Sequence, residues 1–317
     1  MSTQETSTSP EAAVAAPAPA AERAYRYELV IVAHRSRDLV ERFLDRLPAD
    51  VPVVLVDNSH DVDGLSEVAA RRSGTRFVDG PGRGYASGAN LGVAAATRPV
   101  VVMVDPDCTP TLEQIDELVG ELDRDPNLAV ASVTTLTPDG SVEIGVGGWE
   151  PTARRAWVHA IGLHKLIPEA GLWARPVPGE PIELDWLGGA CMAIPREVFT
   201  RLGGYDEDYF VYNEDVEFSR RVRQAGLRLA VRTDILVPHL STGSGDPRPR
   251  MLQMRGASMM KYLRRHNPRR RANAIGVALT AGYAGRYLLC RATGDPGRAQ
   301  EHAAYITGLW RGAPDLS

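Results

Sequence analysis

From residue 27 onward the chain alternates two hydrophobic patterns. Runs rich in Val and Ile, at residues 27–33, 51–56, 75–78, 100–104 and 128–133, are too short and too β-branched for buried helices and predict strands. Between them, residues 38–47, 65–72, 86–97 and 112–122 carry apolar side chains at helical spacing. Such alternation predicts an α/β fold with a mainly parallel sheet, because strands that are apolar on both sides need helices over both faces. In these sheets ligands bind beyond the carboxyl ends of the strands, so the residues just after each strand carry the functional signal.

The alternation stops after Val133. Gly- and Pro-rich sequence runs to about Pro181, with Trp149, Trp157, Trp173, His159 and His164 scattered through it, and predicts a loop-rich insertion with a hairpin. A strand over 189–194 then leads into a helix opening at Pro195, where proline suits a first turn. Asn213 is placed to N-cap a helix that runs to Ala225 and stops at Gly226. A last strand over 235–239 precedes three helical stretches at 251–265, 272–291 and 298–309. Residues 1–24 mix Ser, Thr, Ala and Pro, which predicts a disordered tail, and they lack the basic start and unbroken apolar stretch of a secretory signal. The expected organisation is a tail at 1–24, an α/β domain over 25–246 and a basic helical region over 247–317.

Composition changes this picture little: 44% hydrophobic and 24% charged residues in 317 describe an ordinary soluble globular chain. With 36 Lys and Arg against 40 Asp and Glu, the net charge of -4 gives no reason to expect nucleic-acid binding. Residues 247–294 break the balance, with eleven Arg or Lys and no Asp or Glu. Cys108, Cys191 and Cys290 stand far apart and form no C-x-x-C pair, which argues against a disulfide framework or zinc knuckle and fits a reducing cytoplasm. Residues 272–292 are the one candidate membrane span. Asn273 and Arg286 interrupt them and Ala and Gly dominate, so a packed or surface-lying helix is expected.

The sharpest candidate chemistry is Asp105-Pro106-Asp107, directly after the strand at 100–104. On extended backbone, residues two apart point the same way, so both carboxylates can face one hard cation such as Mg²⁺ or Mn²⁺; a turn opened by Asp and Pro is the competing meaning. Asp57-Asn58-Ser59 stands at the same place after the second strand, where it can bind a base or ribose or simply satisfy a loop. Gly80-Pro81-Gly82-Arg83-Gly84 fits neither a dinucleotide fingerprint nor a P-loop, and reads as a loop opening the helix that contains Asn90, with Arg83 near a substrate phosphate. Glu214-Asp215 at a helix start satisfies the helix dipole by itself, but Gly203-Gly204-Tyr205-Asp206-Glu207 before it and His239 after the next strand are more elaborate than a cap requires.

Taken in order, these residues resemble a family 2 glycosyltransferase, of the kind found in bacterial rhamnosyltransferases and their polysaccharide-building relatives. The resemblance runs from Tyr27 to Ser244. It comprises the strand into Ala33-His34-Arg35-Ser36, Asp57-Asn58-Ser59, Gly84 through Asn90-Leu91-Gly92, Asp105-Pro106-Asp107, Asp185-Trp186-Leu187-Gly188-Gly189-Ala190, Gly203-Gly204-Tyr205-Asp206-Glu207, Phe210, Tyr212, Glu214-Asp215, Arg220, Gly226 and His239. Gly82 stands where the family often has Asn. The resemblance implies a GT-A fold and inverting transfer of a sugar, such as the deoxyhexose rhamnose, from a nucleoside-diphosphate donor (dTDP- or UDP-sugar) to a lipid-linked or soluble acceptor. Carried over by position, it implies that Ala33, Arg35, Asp57, Arg83, Gly84, Asn90 and Asp105 serve the donor. By the same correspondence, Asp107 and His239 hold Mg²⁺ or Mn²⁺, and Asp215 is the catalytic base beside Glu214. Trp186, Gly189, Ala190, Asp206 and Glu207 face the acceptor.

The chemistry agrees with that assignment. Breaking an anomeric C–O bond leaves negative charge on a diphosphate, which a divalent cation stabilises, and the acceptor hydroxyl must lose a proton to a nearby carboxylate. Two other readings stay open on sequence alone: a nucleotidyltransferase of sugar phosphates, and a non-catalytic sugar-binding protein of the same fold. A Rossmann oxidoreductase is disfavoured, since the first strand runs into Ala33-His34-Arg35 without a glycine fingerprint. The expected location is the cytoplasm, with the acid-free basic stretch free to touch anionic lipid on the inner face of the cell membrane.

Overall fold

The structure is a computed structural model that describes residues 24–240 and 248–314. Strands and helices alternate through β1 (Tyr27–Ala33), α1 (Arg37–Leu44), β2 (Val53–Asp57), α2 (Leu65–Ala70), β3 (Thr75–Asp79), α3 (Tyr85–Ala95), β4 (Val100–Val104), α4 (Leu112–Arg124) and β5 (Leu128–Leu136). Then come β6 (Gly147–Gly148), α5 (Ala153–Ala160), β7 (Trp186–Leu187), β8 (Cys191–Pro195), α6 (Arg196–Arg201), α7 (Glu214–Gln224) and β9 (Arg228–Pro238). Three helices follow, α8 (Arg248–His266), α9 (Arg269–Ala292) and α10 (Pro296–Arg311). The expected tail lies outside the described residues apart from Ala24, as do residues 241–247.

Seven strands form one sheet in the order β3-β2-β1-β4-β8-β5-β9. Only β8 runs antiparallel to its neighbours, β4 and β5. Strands β1, β2 and β4 are buried along their whole length, as their unbroken apolar runs require. Helices α1, α2 and α4 cover one face through Val40, Phe43, Leu65, Ile115 and Leu118. The amphipathic α4 starts with a capping box in which Thr111 and Gln114 satisfy each other's backbone N–H. Helices α3, α6 and α7 cover the other face through Ala89, Val93, Phe199, Phe218 and Val222. Helix α3 lies close against the sheet because a Cβ on Gly92 would stand 2.5 Å from Val30 Cγ1.

A third core joins the C-terminal helices to the sheet domain. Tyr262, Leu263, Ile275, Leu279, Tyr305 and Leu309 pack in one cluster with Trp186, Tyr209 and Val216. Beneath it Glu150 accepts from the Tyr262 hydroxyl at 2.8 Å and pairs with Arg220 at 2.8 Å and Arg223 at 2.9 Å, so polar and apolar contacts both cross this junction.

Four details depart from the pattern expected of the sequence. Strand β9 begins at Arg228, seven residues before the expected start, because its first half is a half-buried edge whose Arg228, Arg232 and Thr233 hide the apolar alternation. The insertion contains helix α5, N-capped by Thr152 through Arg155 N–H, as well as the expected hairpin, in which Leu136 bridges Val142 across Gly140. Asn213 occupies the cap position of α7, but its φ is 67° and its side chain makes no capping bond. Asn tolerates that left-handed backbone, and the conformation, not a cap, is its contribution. Pro195 closes β8 and precedes the first turn of α6, so its fixed φ serves the entry to the helix from outside it.

Candidate active site

The antiparallel β8 brings the site together. Because Cys191 pairs with Val104, the residues preceding β8 arrive at the carboxyl end of β4, where Asp105 N–H donates to Ala190 O at 2.9 Å. Strand β9 runs parallel to β5 and leaves the sheet on the same side, so that His239 bridges Cys108 and Leu240 N–H donates to Asp107 O at 3.0 Å. Helix α7 points its first residues here, and Gly189 N–H donates to Asp215 Oδ2 at 3.1 Å. Tyr212 and Asn213, with φ of 68° and 67°, turn the chain into this helix start.

Donor atoms of Asp105, Asp107 and His239 all lie within 4.8 Å of one another. Asp107 is buried, and its Oδ1 stands 3.2 Å from His239 Nε2. The other ring nitrogen, Nδ1, meets Glu143 Oε2 at 2.7 Å, and Glu143 is itself held by the Thr135 hydroxyl at 2.7 Å. Burial opposes a charge on His239, but the hydrogen bonds and charges of Asp107 and Glu143 outweigh it and push its pKa up to about 10. Burial, then the charge of Asp107, pushes Asp105 up to about 7. Two carboxylates crowded in this way, with an imidazole fixed by a third, form a donor set of hard oxygens and one nitrogen that fits a divalent cation such as Mn²⁺ or Mg²⁺.

A cavity of about 260 Å³ opens beside this group. Asp105, His239, Glu143, Glu214, Asp215, Gly189 and Ala190 line it together with Tyr85 and Arg255, and Trp149, Trp173 and Trp186 provide aromatic walls. Glu214 is buried, one of its oxygens has no partner, and burial followed by the charge of Asp215 holds its carboxyl well above the usual range. Burial also raises Asp215, while the N–H groups of Val216 and Gly189 and the charge of Arg255 pull the other way. The pair is thus differentiated by environment. Glu214 is the more strongly raised of the two, whereas Asp215 accepts backbone hydrogen bonds that favour its charged form.

The remaining candidates sit elsewhere, mostly in roles that shape the site. Asp57 is fully buried, and its two carboxylate oxygens accept from Ser59 N–H at 2.8 Å and Asp61 N–H at 2.5 Å, so any donor contact would add to a loop it already fixes. Ala33 is buried and accepts from Asn58 N–H at 2.8 Å, and exposed Arg35, with φ 50°, donates through its N–H to Ser59 Oγ. Asn58 Nδ2 reaches Gly84 O at 2.7 Å, tying the loop after β2 to the start of α3. Gly84 itself has φ 95°, and a Cβ there would stand 2.1 Å from Phe210 O. Asn90 bonds Tyr205 in both directions and donates to Glu207 Oε1 at 3.1 Å, while Glu207 also lies 3.8 Å from exposed Arg83. Asp206 pairs with Arg265 at 2.5 Å. Neither Asp206 nor Glu207 lines the cavity. Glu143, Tyr85 and Arg255 belong to the site although no motif marked them. Tyr85 follows the loop glycine directly, which is a usable signal, whereas nothing in the sequence couples residue 143 to residue 239.

The model of the family described as glycosyl transferase family 2 matches residues 28–162, which include Asp57, Asp105, Asp107 and Glu143. Residues 28–162 thus match a family 2 glycosyltransferase domain. Over 243 residues, the chain is 29% identical to the N-acetylglucosaminyl-diphospho-decaprenol L-rhamnosyltransferase of Mycobacterium tuberculosis, covering 69% of this chain and 78% of that protein. With the rhamnosyltransferase WbbL of Escherichia coli it shares 24% identity over 215 residues, 63% of this chain and 78% of the relative. Among solved structures, the mannosyltransferase PcManGT of Pyrobaculum calidifontis, in complex with GDP-Man and Mn²⁺, matches with a TM-score of 0.55 at 20% identity, over 90% of this chain and 87% of that one. That likeness is one of fold. The fold is accordingly of the GT-A type, and the proteins similar to this chain include rhamnosyltransferases.

Proposed function

We propose that this family 2 glycosyltransferase moves a hexosyl group, a deoxyhexose such as rhamnose, from a dTDP- or UDP-sugar to a hydroxyl of a lipid-diphosphate-linked glycan, with inversion at the anomeric carbon. The observation that carries the proposal is that Asp105 and His239, which form one group with Asp107, line the same cavity as Asp215. Charge stabilisation for a leaving diphosphate and a proton acceptor for an attacking hydroxyl therefore share one enclosure. The relative that acts on a decaprenol-linked sugar favours the lipid-linked acceptor over a soluble one.

In this reading Asp105, Asp107 and His239 hold Mn²⁺ or Mg²⁺, with Glu143 fixing the imidazole. A cation held there would supply Lewis-acid stabilisation of the departing diphosphate. Asp215 takes the proton of the acceptor hydroxyl as it attacks the anomeric carbon from the face opposite the leaving group, and Gly189 N–H keeps that carboxylate aimed into the cavity. Burial, then the charge of Asp215, raises Glu214 well above the usual carboxyl range, which favours a single negative charge at the helix start. Tyr85, whose phenol burial holds well above its ordinary range, remains a hydrogen-bond donor beside Asp105. The tryptophan walls suit the apolar faces of sugar rings and exclude water that would hydrolyse the donor.

The test is a panel of nucleoside-diphosphate sugars offered with Mn²⁺ and a lipid-diphosphate-linked N-acetylglucosamine, followed by NMR of the new linkage. A product whose anomeric configuration is opposite to that of the donor supports the proposal. Retention of configuration contradicts it, as does release of pyrophosphate from a nucleoside triphosphate and a sugar phosphate.

A further inference from the structure

Between Arg271 and Arg291 every exposed residue of α9 is apolar. Its exposed positions Ala274, Val277, Ala281, Gly285, Leu288 and Leu289 follow one another at helical spacing, and no polar or charged residue interrupts them. The opposite face, with Ala272, Ile275, Ala278 and Leu279, is already buried in the C-terminal core. Large apolar side chains on a helix are expected to be covered, yet Val277, Leu288 and Leu289 are 51%, 66% and 63% exposed.

The stripe continues onto a neighbouring loop. Ile161, Leu166 and Ile167, just after α5, are 71%, 81% and 53% exposed. A Cβ on Gly282 of α9 would meet Ala160 Cα at 2.8 Å, and Arg286 donates to His159 O at 3.3 Å, so α9 packs against the end of α5 from which this loop leaves. Scattered exposed hydrophobics are ordinary, but a continuous patch of this kind marks an interaction surface.

Charge decides what covers it. Helix α9 carries Arg269, Arg270, Arg271, Arg286 and Arg291 and no acidic residue. No salt bridge among the described residues reaches any of the five; those of the C-terminal helices belong to Arg265, His266 and Arg298. A second copy docked face to face would set two such acid-free helices against each other, an arrangement like charges oppose. A bilayer containing anionic lipid matches both the apolar stripe and the arginines at its ends. Among the described residues no helix is long and apolar enough to cross a membrane, so the matching mode is one in which α9 lies along the interface.

We propose that α9 and the loop after α5 dock on a bilayer containing anionic lipid, with Leu288, Leu289, Ile161 and Leu166 in the headgroup and acyl boundary and the arginines among the headgroups. The catalytic cavity is close to this face, since Trp173 lines it and meets the His159 ring edge-on at 4.4 Å. Docking therefore presents the cavity to acceptors carried by the membrane. The inference stands apart from the transfer chemistry, because binding to lipid is read with neither donor nor acceptor present.

The experiment is co-sedimentation of the full chain with phosphatidylcholine vesicles, with and without phosphatidylglycerol, over a salt series. The chain is expected to bind the anionic vesicles and to be released as salt rises. Leu288→Asp/Leu289→Asp should weaken that binding by about 100-fold or more, and Arg270→Glu/Arg271→Glu by about tenfold or more. Both pairs are exposed, so melting temperature and slow donor hydrolysis should match the parent chain. Failure of the parent chain to bind anionic vesicles overturns the proposal. So does equal binding by the Leu288→Asp/Leu289→Asp variant, or a dimer in analytical ultracentrifugation that this variant abolishes.

Discussion

Asp107 and His239 contribute to the site as a pair, because His239 is held between Asp107 on one ring nitrogen and Glu143 on the other. Replacing Asp107 by Ala removes one oxygen ligand and leaves His239 with a single carboxylate, so transfer should fall to background at any metal concentration that supports the parent enzyme. Glu143→Gln keeps the size and a hydrogen-bond acceptor but removes the charge that orients the imidazole. It should weaken Mn²⁺ binding by about 10- to 100-fold, measured by calorimetry, with turnover partly recovered at high Mn²⁺. Unchanged affinity would make Glu143 a structural partner only. Asp215→Asn should lower kcat by about 100-fold or more while donor affinity survives, since only the proton acceptor is lost. A variant that loses donor affinity yet turns over normally at saturation would move the base to another residue.

Helix and strand ends, rather than their middles, set where these residues meet. Gly84→Ala tests one such end: with φ 95° and Phe210 O in the space of a Cβ, the substitution should cost about 2 kcal/mol or more and lower the melting temperature. An unchanged Tm would show that the loop before α3 yields freely. The sequence made the parallel strands legible because β1, β2 and β4 are apolar on both faces. It also marked Asp105-Pro106-Asp107 and Glu214-Asp215, since each directly follows or opens a regular element. It did not reveal that β8 runs antiparallel, because one short apolar strand reads the same in either direction, yet that reversal is what places Gly189 and Ala190 beside Asp105. Nor did it show that Asn90 and Glu207 face each other, a pairing made across 117 residues of chain. The early half of β9 was hidden for an equally physical reason, as an edge strand half open to solvent carries no clean period.

At the scale of the whole molecule, the C-terminal helices share a core with the domain that holds the site. Truncation after His239 would expose Trp186, Tyr209 and Val216 and strip Tyr262 from half-buried Glu150, leaving that acid with fewer partners. We expect such a truncation to yield little folded protein, read as loss of a cooperative melting transition. A truncated chain that melts normally would show that the sheet domain stands alone. The acid-free stretch visible in the sequence thus maps onto helices that are structural on one face and, on α9, open on the other.

Metal-supported transfer at Asp105, Asp107 and His239 is tested by a single titration. Donor consumption by the full chain is followed in Mn²⁺, then in excess EDTA, then after Mn²⁺ is restored. The account predicts turnover, its loss and its recovery, with no turnover at any stage for Asp107→Ala. Undiminished turnover in excess EDTA would contradict it.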